Sequence, residues 1–90
     1  MSYFKQYLSE KLPDTTISAG WLASIVGLKR SEACRLWLNG TNAPQAKFLA
    51  ILEEKLGLDQ DEIKMVNLID NAPNKYKEEL WKTFRTIRYR

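Results

Sequence analysis

Apolar residues recur at intervals of three and four along almost the whole chain, which is the spacing of one face of an α-helix. The first such group consists of Tyr3, Phe4, Tyr7 and Leu8. No segment alternates between apolar and polar residues for long enough to predict a β-strand. We therefore predict an all-α fold, a bundle of about five helices followed by a C-terminal helix.

Length and composition restrict the class of protein. Ninety residues provide room for one small domain, and 44% apolar with 28% charged residues is an ordinary globular composition. The longest nearly apolar stretch, residues 21–28, is much shorter than the roughly 20 residues that span a bilayer. The first residues include no apolar signal region, and a single cysteine agrees with a reducing compartment. We expect a cytoplasmic protein without membrane association.

Capping residues predict where the second and third helices begin and end. Ser18 is a suitable N-cap for the second helix, which we expect to stop at Gly27, where a positive φ costs little. Ser31 is a plausible N-cap for a third helix that runs through Leu38 and is closed by Gly40. Both helices are short.

The remaining helix ends follow from the same chemistry. Pro44 suits the first position of a fourth helix, since its missing N–H would be unpaired there, and Gly57 ends that helix. Asp59, with Glu62 three residues later, resembles a capping box at the start of a fifth helix. A sixth helix starts at about Asn74. These ends divide the chain into a main segment, 1–72, and a C-terminal segment, 73–90.

Charge is distributed unevenly along the chain. Residues 53–70 carry six acids against two lysines, whereas residues 75–90 carry six basic residues against two acids. Residues 28–47 hold four basic side chains and only one acid. Basic patches of this kind suit a polyanion, although a solvated charged face has the same composition. The net charge of +3 alone does not separate these alternatives.

Two short helices joined by a turn after a glycine form the pattern of a helix-turn-helix. The residues that carry a closer likeness are Ile17-Ser18, Leu22-Ala23, Gly27-Leu28, Trp37, Asn39-Gly40, Pro44 and Leu56-Gly57-Leu58. Residues 17–58 thereby resemble the lambda repressor and Cro family, also called the XRE-type helix-turn-helix family. The resemblance implies a third helix that enters the major groove of DNA and reads base edges.

Two features depart from the family pattern. The interval from Gly27 to Gly40 is one residue longer than usual, which predicts either an extra residue in the turn or a shifted start of the third helix. Ala19 and Gly20 stand where the family often has glutamine and a charged residue, so a common phosphate contact is missing.

The resemblance assigns DNA contacts to polar residues on and around the third helix. Arginine can pair with guanine and glutamate can accept from cytosine, while Thr41 and Asn42 offer hydroxyl and amide groups to phosphate. The predicted DNA-binding residues are Lys29, Arg30, Ser31, Glu32, Arg35, Thr41, Asn42 and Lys47.

Cys34 raises the question of catalysis. The chain has no histidine, so this cysteine lacks its usual base, and a lone cysteine offers too few ligands for zinc. We expect Cys34 and Trp37 in the core, with a reactive thiol or a metal ligand as the alternatives to a core Cys34. Glycine-rich phosphate loops and paired carboxylates are also missing from the sequence. We therefore expect no enzyme activity, no metal and no cofactor.

An aromatic stripe marks the C-terminal helix. Its members are Tyr76, Leu80, Trp81, Phe84 and Ile87. Such a stripe either closes the core of its own domain or packs against a second copy. Proteins of this class bind two half-sites as two-fold dimers, so the functional interpretation is a dimer interface.

These observations support two hypotheses of different classes. The first is a sequence-specific DNA-binding transcriptional regulator, a Cro-like repressor of phage or mobile-element type that binds double-stranded DNA as a homodimer. The second is an interaction module, such as an antitoxin or adaptor, whose C-terminal helix binds a partner protein. A large exposed apolar patch would favour the second hypothesis.

Overall fold

The computed structural model describes residues 2–88, and every regular element in that range is an α-helix. The helices are α1 (Tyr3–Lys11), α2 (Ala19–Val26), α3 (Glu32–Leu38), α4 (Ala46–Leu56), α5 (Gln60–Asp70) and α6 (Asn74–Arg88). The predicted all-α class with five helices and a C-terminal helix is confirmed. Met1 and residues 89–90, the ends of the two predicted segments, lie outside the described residues. In the described part, no helix is long and apolar enough to cross a membrane.

The start of α1 is held by a buried polar cluster. One carboxylate oxygen of Asp70 accepts from the backbone N–H of Tyr3 at 2.8 Å, and the other accepts from that of Phe4 at 3.1 Å. The Ser2 hydroxyl donates to the backbone carbonyl of Leu38. The cluster therefore joins the beginning of α1 to the ends of α3 and α5, and it uses N–H groups that a helix leaves unpaired at its N-terminus.

Gly40 lies against this cluster. Its φ of +82° is a left-handed conformation that non-glycine residues rarely adopt. A Cβ at this position would lie 3.2 Å from Cβ of Ser2 and 3.3 Å from Cγ of Asp70. The predicted helix-closing role of Gly40 thus has two causes, backbone conformation and lack of space.

Residues 27–31 connect α2 to α3. Ser18 caps α2 by accepting from the N–H of Trp21 at 3.1 Å, and Gly27 ends the helix at φ +81°, so both predicted ends are confirmed. Five residues, 27–31, then separate the helices, whereas a helix-turn-helix connection has three or four. Ser31 precedes α3 as predicted, but its side chain makes no capping hydrogen bond.

The predicted start of α4 needs correction, whereas that of α5 is confirmed except for its Glu62 contact. Helix α4 begins at Ala46 with Gln45 as N-cap, so the buried Pro44 lies two residues before the helix and is not its first residue. Asp59 caps α5 by accepting from the N–H of Asp61 at 2.7 Å. The capping box is only half formed, because the Glu62 side chain turns inward instead of reaching back.

Glu62 has a partner in α1. Its Oε1 accepts from the Tyr7 hydroxyl at 2.8 Å and lies 3.5 Å from the ammonium of Lys11. Burial of a carboxylate is costly unless it is hydrogen-bonded and paired, and both conditions are met here. Glu62 thus contacts Tyr7 and Lys11 of α1, whereas the sequence predicted a contact with Asp59 at the start of its own helix.

Helix α6 packs on α1 and α5 and closes the core. The Trp81 ring lies 5.2 Å from that of Tyr3, and Phe84 lies 6.3 Å from Tyr7, measured between ring centroids. The core extends through every helix, and its fully buried large side chains are Tyr7, Phe4, Leu8, Leu22, Leu52, Ile63, Val66 and Cys34. The C-terminal helix is thus part of the same packed body as α1–α5.

Candidate nucleic-acid interface

Helix α3 has one buried and one exposed face. Cys34, Trp37 and Leu38 point into the core. Residues of an α-helix are offset by about 100°, so Glu32 lies opposite Cys34 and Arg35 lies to one side. Both of these charged residues are exposed.

Burial decides the role of Cys34. The side chain is fully buried, and desolvation raises the pKa of its thiol. A buried, neutral thiol is a poor nucleophile, and its surroundings are apolar. Trp37 is buried beside it and packs on the Phe48 ring at a centroid distance of 5.1 Å. The prediction that Cys34 and Trp37 belong to the core is confirmed.

None of the predicted DNA-binding side chains is buried. Ser31 is partly exposed, and the exposed residues are Lys29, Arg30, Glu32, Arg35, Thr41, Asn42 and Lys47. They come from three connected parts of the chain: the α2–α3 connection, α3 itself, and the segment that runs into α4. We call these eight residues, together with the exposed side of α3, the α3 surface.

Arg35 lies on the side of α3 that faces the start of α2. It lines a cleft with Lys5 of α1 and with Ser18 and Ala19 at the N-terminus of α2. Lys5 therefore adds a cation to the α3 surface that the sequence analysis missed. No local pattern could have indicated it, because α1 precedes the helix-turn-helix segment and meets Arg35 only through the tertiary fold.

The loop after α3 is ordered by its own hydrogen bonds. The Asn39 side chain accepts from the N–H of Thr41 at 2.9 Å. The N–H groups of Thr41 and Asn42 both donate to the carbonyl of Leu36, at 3.0 and 3.2 Å. Their backbone donors are therefore used within the protein, and the exposed side chains are the groups that this loop presents outward.

Lys47 extends the α3 surface into α4. Its ammonium lies 5.0 Å from the ring centroid of Phe48, a cation–π contact of about 0.5–1 kcal/mol at an exposed site. Phe48 also packs on Trp37 of α3, so Lys47 lies against a ring that itself contacts α3. Ala33, which the sequence analysis also missed, is exposed and lines a depression with Asn42 and Phe48. Helical spacing gives no clear signal for its exposure, because Ala33 lies only about 40° around the helix from the buried Trp37.

The predicted C-terminal stripe divides into two groups. Trp81 and Phe84 are 4% and 3% exposed, because most of their surface packs into the chain's own core. Tyr76, Leu80 and Ile87 remain exposed. The two interpretations of the stripe thus apply to different residues of one helix.

Comparisons with family models, curated proteins and solved structures find no match to this chain. Among the described residues, no group of three or more cysteine, aspartate or glutamate side chains is placed to hold a metal ion.

Proposed function

We propose that this protein is a sequence-specific, double-stranded DNA-binding regulator of transcription that uses α3 as a recognition helix in a lambda-repressor-like domain. The observation that carries the proposal is the composition of the α3 surface. Its charged side chains are Lys5, Lys29, Arg30, Arg35, Lys47 and Glu32, five cations against one acid, and none is buried. A basic surface around a short exposed helix has the charge and shape that a DNA groove requires.

Roles within the surface follow from chemistry. Arg35 and Glu32, on α3, can reach base edges, because arginine pairs with guanine and glutamate accepts from cytosine. The exposed methyl group of Ala33 suits the methyl group of thymine. Lys29 and Arg30 lie before α3, where cations contact phosphate and set the register of the helix.

Repression by occupancy of an operator is the simplest mode of action for such a domain. A homodimer of Cro-like type would place two α3 helices on two half-sites about one helical turn apart. Regulation of this kind needs no catalytic group and no cofactor from the α3 surface.

Selection of bound duplexes from a random DNA pool, followed by anisotropy titration, tests the proposal. If a dimer contacts about six phosphates, the logarithm of affinity falls with the logarithm of salt concentration at a slope of about −5. Replacement of Lys29 and Arg30 by alanine should weaken binding and make this slope shallower. The matched control is Lys55→Ala, an exposed lysine about 12 Å farther along α4 than Lys47. No binding at low salt, or equal effects of the two variants, would contradict the proposal.

One observation favours the second candidate function, a module that binds a partner protein. Met65, Leu68, Leu80 and Ile87 form an exposed apolar area between α5 and α6. An antitoxin or adaptor would use such an area for its partner. A wild-type chain that binds no DNA but remains monomeric and well folded would favour this candidate.

A further inference from the structure

An open depression lies between α5 and the segment that leads into α4. It has a volume of about 380 Å³, which is within the range of small-ligand sites. Its wall combines the apolar side chains of Pro44, Leu49 and Leu68 with polar side chains of α5. None of the residues that line it belongs to the α3 surface, so the depression is a separate feature of the molecule.

Asn67 is the buried polar residue of this wall. Its side chain is 8% exposed, and its side-chain amide makes no hydrogen bond among residues 2–88. Asparagine is also one of the less favourable residues inside a helix, and Asn67 lies within α5. Buried polar groups of proteins are almost always hydrogen-bonded. An amide that lines a depression, is buried and has no partner therefore indicates a ligand that enters the depression.

Asn71 and Lys64 lie on the same side of α5, because residues three and four apart on a helix are neighbours. The NH₂ group of Asn71 donates to the backbone carbonyl of Asn67 at 3.0 Å. The side-chain oxygen of Asn71 therefore remains as an acceptor. Lys64 is exposed and forms no ion pair within the described part of the chain. The wall thus offers amide groups that donate and accept, together with one cation.

We propose that the depression binds the C-terminal residue of a partner peptide, one with an apolar side chain such as leucine. The apolar side chain packs on the apolar wall, the peptide group pairs with the side-chain amides of Asn67 and Asn71, and the carboxylate pairs with Lys64. A peptide group has one donor and one acceptor, as an asparagine side chain does. A single C-terminal residue carries all three groups close together, which suits a site of this size.

The chemistry of the wall favours this ligand over DNA. A phosphate has acceptor oxygens only, so it would leave the side-chain oxygens of Asn67 and Asn71 unpaired beside an apolar wall. A wholly apolar ligand would cover the same amides without pairing them. A ligand with an apolar group, an amide and a carboxylate satisfies every part of the wall. The inference goes beyond the proposed function, because it uses no residue of the α3 surface.

Leu68 connects the depression with the apolar area between α5 and α6. It is 69% exposed and lines both surfaces. A peptide whose last residue lies in the depression can therefore place a preceding apolar residue against Met65 or Leu80. Partners with a second apolar residue near the C-terminus should bind more tightly than partners with one.

A ¹⁵N–¹H titration of the full chain with N-acetyl-leucine, without DNA, tests the site. This probe has the side chain, the amide and the carboxylate of a C-terminal leucine. We expect a dissociation constant on the order of 1–10 mM for a ligand of about 12 non-hydrogen atoms. The largest shift should occur at the side-chain NH₂ of Asn67. N-acetylleucinamide, which lacks the carboxylate, should bind about two- to fivefold more weakly, the effect of losing an exposed ion pair.

Two variants assign the binding to these side chains. Asn67→Leu should weaken binding of N-acetyl-leucine about tenfold and should not lower stability, because the amide has no partner within the protein. Lys64→Met removes the charge and keeps an unbranched side chain, so it should bind the acid and the amide equally. The matched control is Lys55→Met, an exposed lysine of α4 outside the depression, which should keep the preference for the acid.

The outcomes separate this inference from the proposed function. Probe shifts that lie outside the depression, equal binding of the acid and the amide by the wild-type chain, or an unchanged affinity of Asn67→Leu overturns the inference, whether or not the chain binds DNA. A wild-type chain that ignores the probe, with a Lys64→Met variant that loses DNA affinity, assigns the depression to the DNA backbone instead. Preference for the acid that disappears in Lys64→Met alone supports the inference, even where no form binds DNA.

Discussion

Arg35 occupies a position that allows two different roles in DNA binding. The sequence predicts that it is a base-reading side chain, and the structure places it on a cleft shared with Lys5 and the N-terminus of α2. A cation in that position can reach either a base edge or a phosphate. The two roles differ in how a substitution affects sequence preference.

We expect Arg35→Ala to cost about 1–3 kcal/mol of binding free energy on the best site and to relax preference at one base pair. The melting temperature should change little, since the side chain is exposed. Arg35→Lys is the control, because lysine keeps the charge but lacks the planar, rigid fork of donors that the guanidinium presents to guanine. Anisotropy on matched and mismatched duplexes measures both effects. Equal weakening on every sequence would make Arg35 a phosphate contact.

Cys34→Ala should lower stability and leave DNA sequence preference unchanged, the reverse of the effects expected for Arg35→Ala. Removal of a buried sulfur lowers the free energy of unfolding by about 1 kcal/mol and leaves site preference unchanged. Urea denaturation measures the first and duplex titration the second. A change of sequence preference without loss of stability would place Cys34 outside the core.

The raised pKa of Cys34 also predicts a pH dependence. The unfolded chain loses the thiol proton above its ordinary pKa of about 8.5, while the raised pKa lets the folded chain hold that proton to higher pH. The unfolded state then binds fewer protons, so stability is fully present below that pH and is lost as the pH rises above it. Above pH 8.5, wild-type stability should fall more steeply than that of Cys34→Ala. Parallel curves would contradict the burial of this thiol.

At the scale of the helices, the sequence predicted most ends but not all. The N-cap of α2 at Ser18 and the glycine stop at Gly27 depend on neighbouring residues only, and both are confirmed. Pro44 and Glu62 depart from prediction because each has a place in the tertiary structure, Pro44 as a buried residue and Glu62 as the partner of Tyr7. Local chemistry carries no information about such distant partners.

Gly40 and Gly57 allow the effect of a left-handed backbone to be measured separately from the effect of crowding at the Cβ position. Gly40→Ala should destabilise the protein by about 1–3 kcal/mol, because a left-handed φ is strained for alanine and the Cβ would crowd Ser2 and Asp70. Gly57 has a similar φ of +70°, but nothing lies within 4 Å of its Cβ position. Gly57→Ala should therefore cost about 1 kcal/mol, from backbone strain alone. Thermal or urea unfolding measures the difference, and equal losses would show that crowding at Gly40 is relieved.

At the scale of the whole molecule, α6 shows what sequence pattern cannot decide. Its aromatic stripe is compatible with closing the core and with binding a second copy, and the structure uses Trp81 and Phe84 for the first while leaving Leu80 and Ile87 exposed. The stripe covers a wider arc of α6 than the core buries, so the apolar spacing alone could not show which of its residues are buried and which are exposed. The exposure of the polar residues around α3 was easier to predict, because they lie on or next to one short helix whose other face is apolar. Lys5 was missed because it comes from a distant segment.

A ¹⁵N–¹H chemical-shift titration of the labelled protein with a selected DNA duplex tests directly whether α3 is a recognition helix. We predict the largest amide shifts in residues 28–47, with further shifts at Lys5 and at the N-terminus of α2. The loop amides of Thr41 and Asn42 should move with them, whereas Gln60 and Asp61 at the start of α5 should not. Shifts confined to α5 and α6, or no shifts at low salt, would contradict the assignment of α3 as a recognition helix.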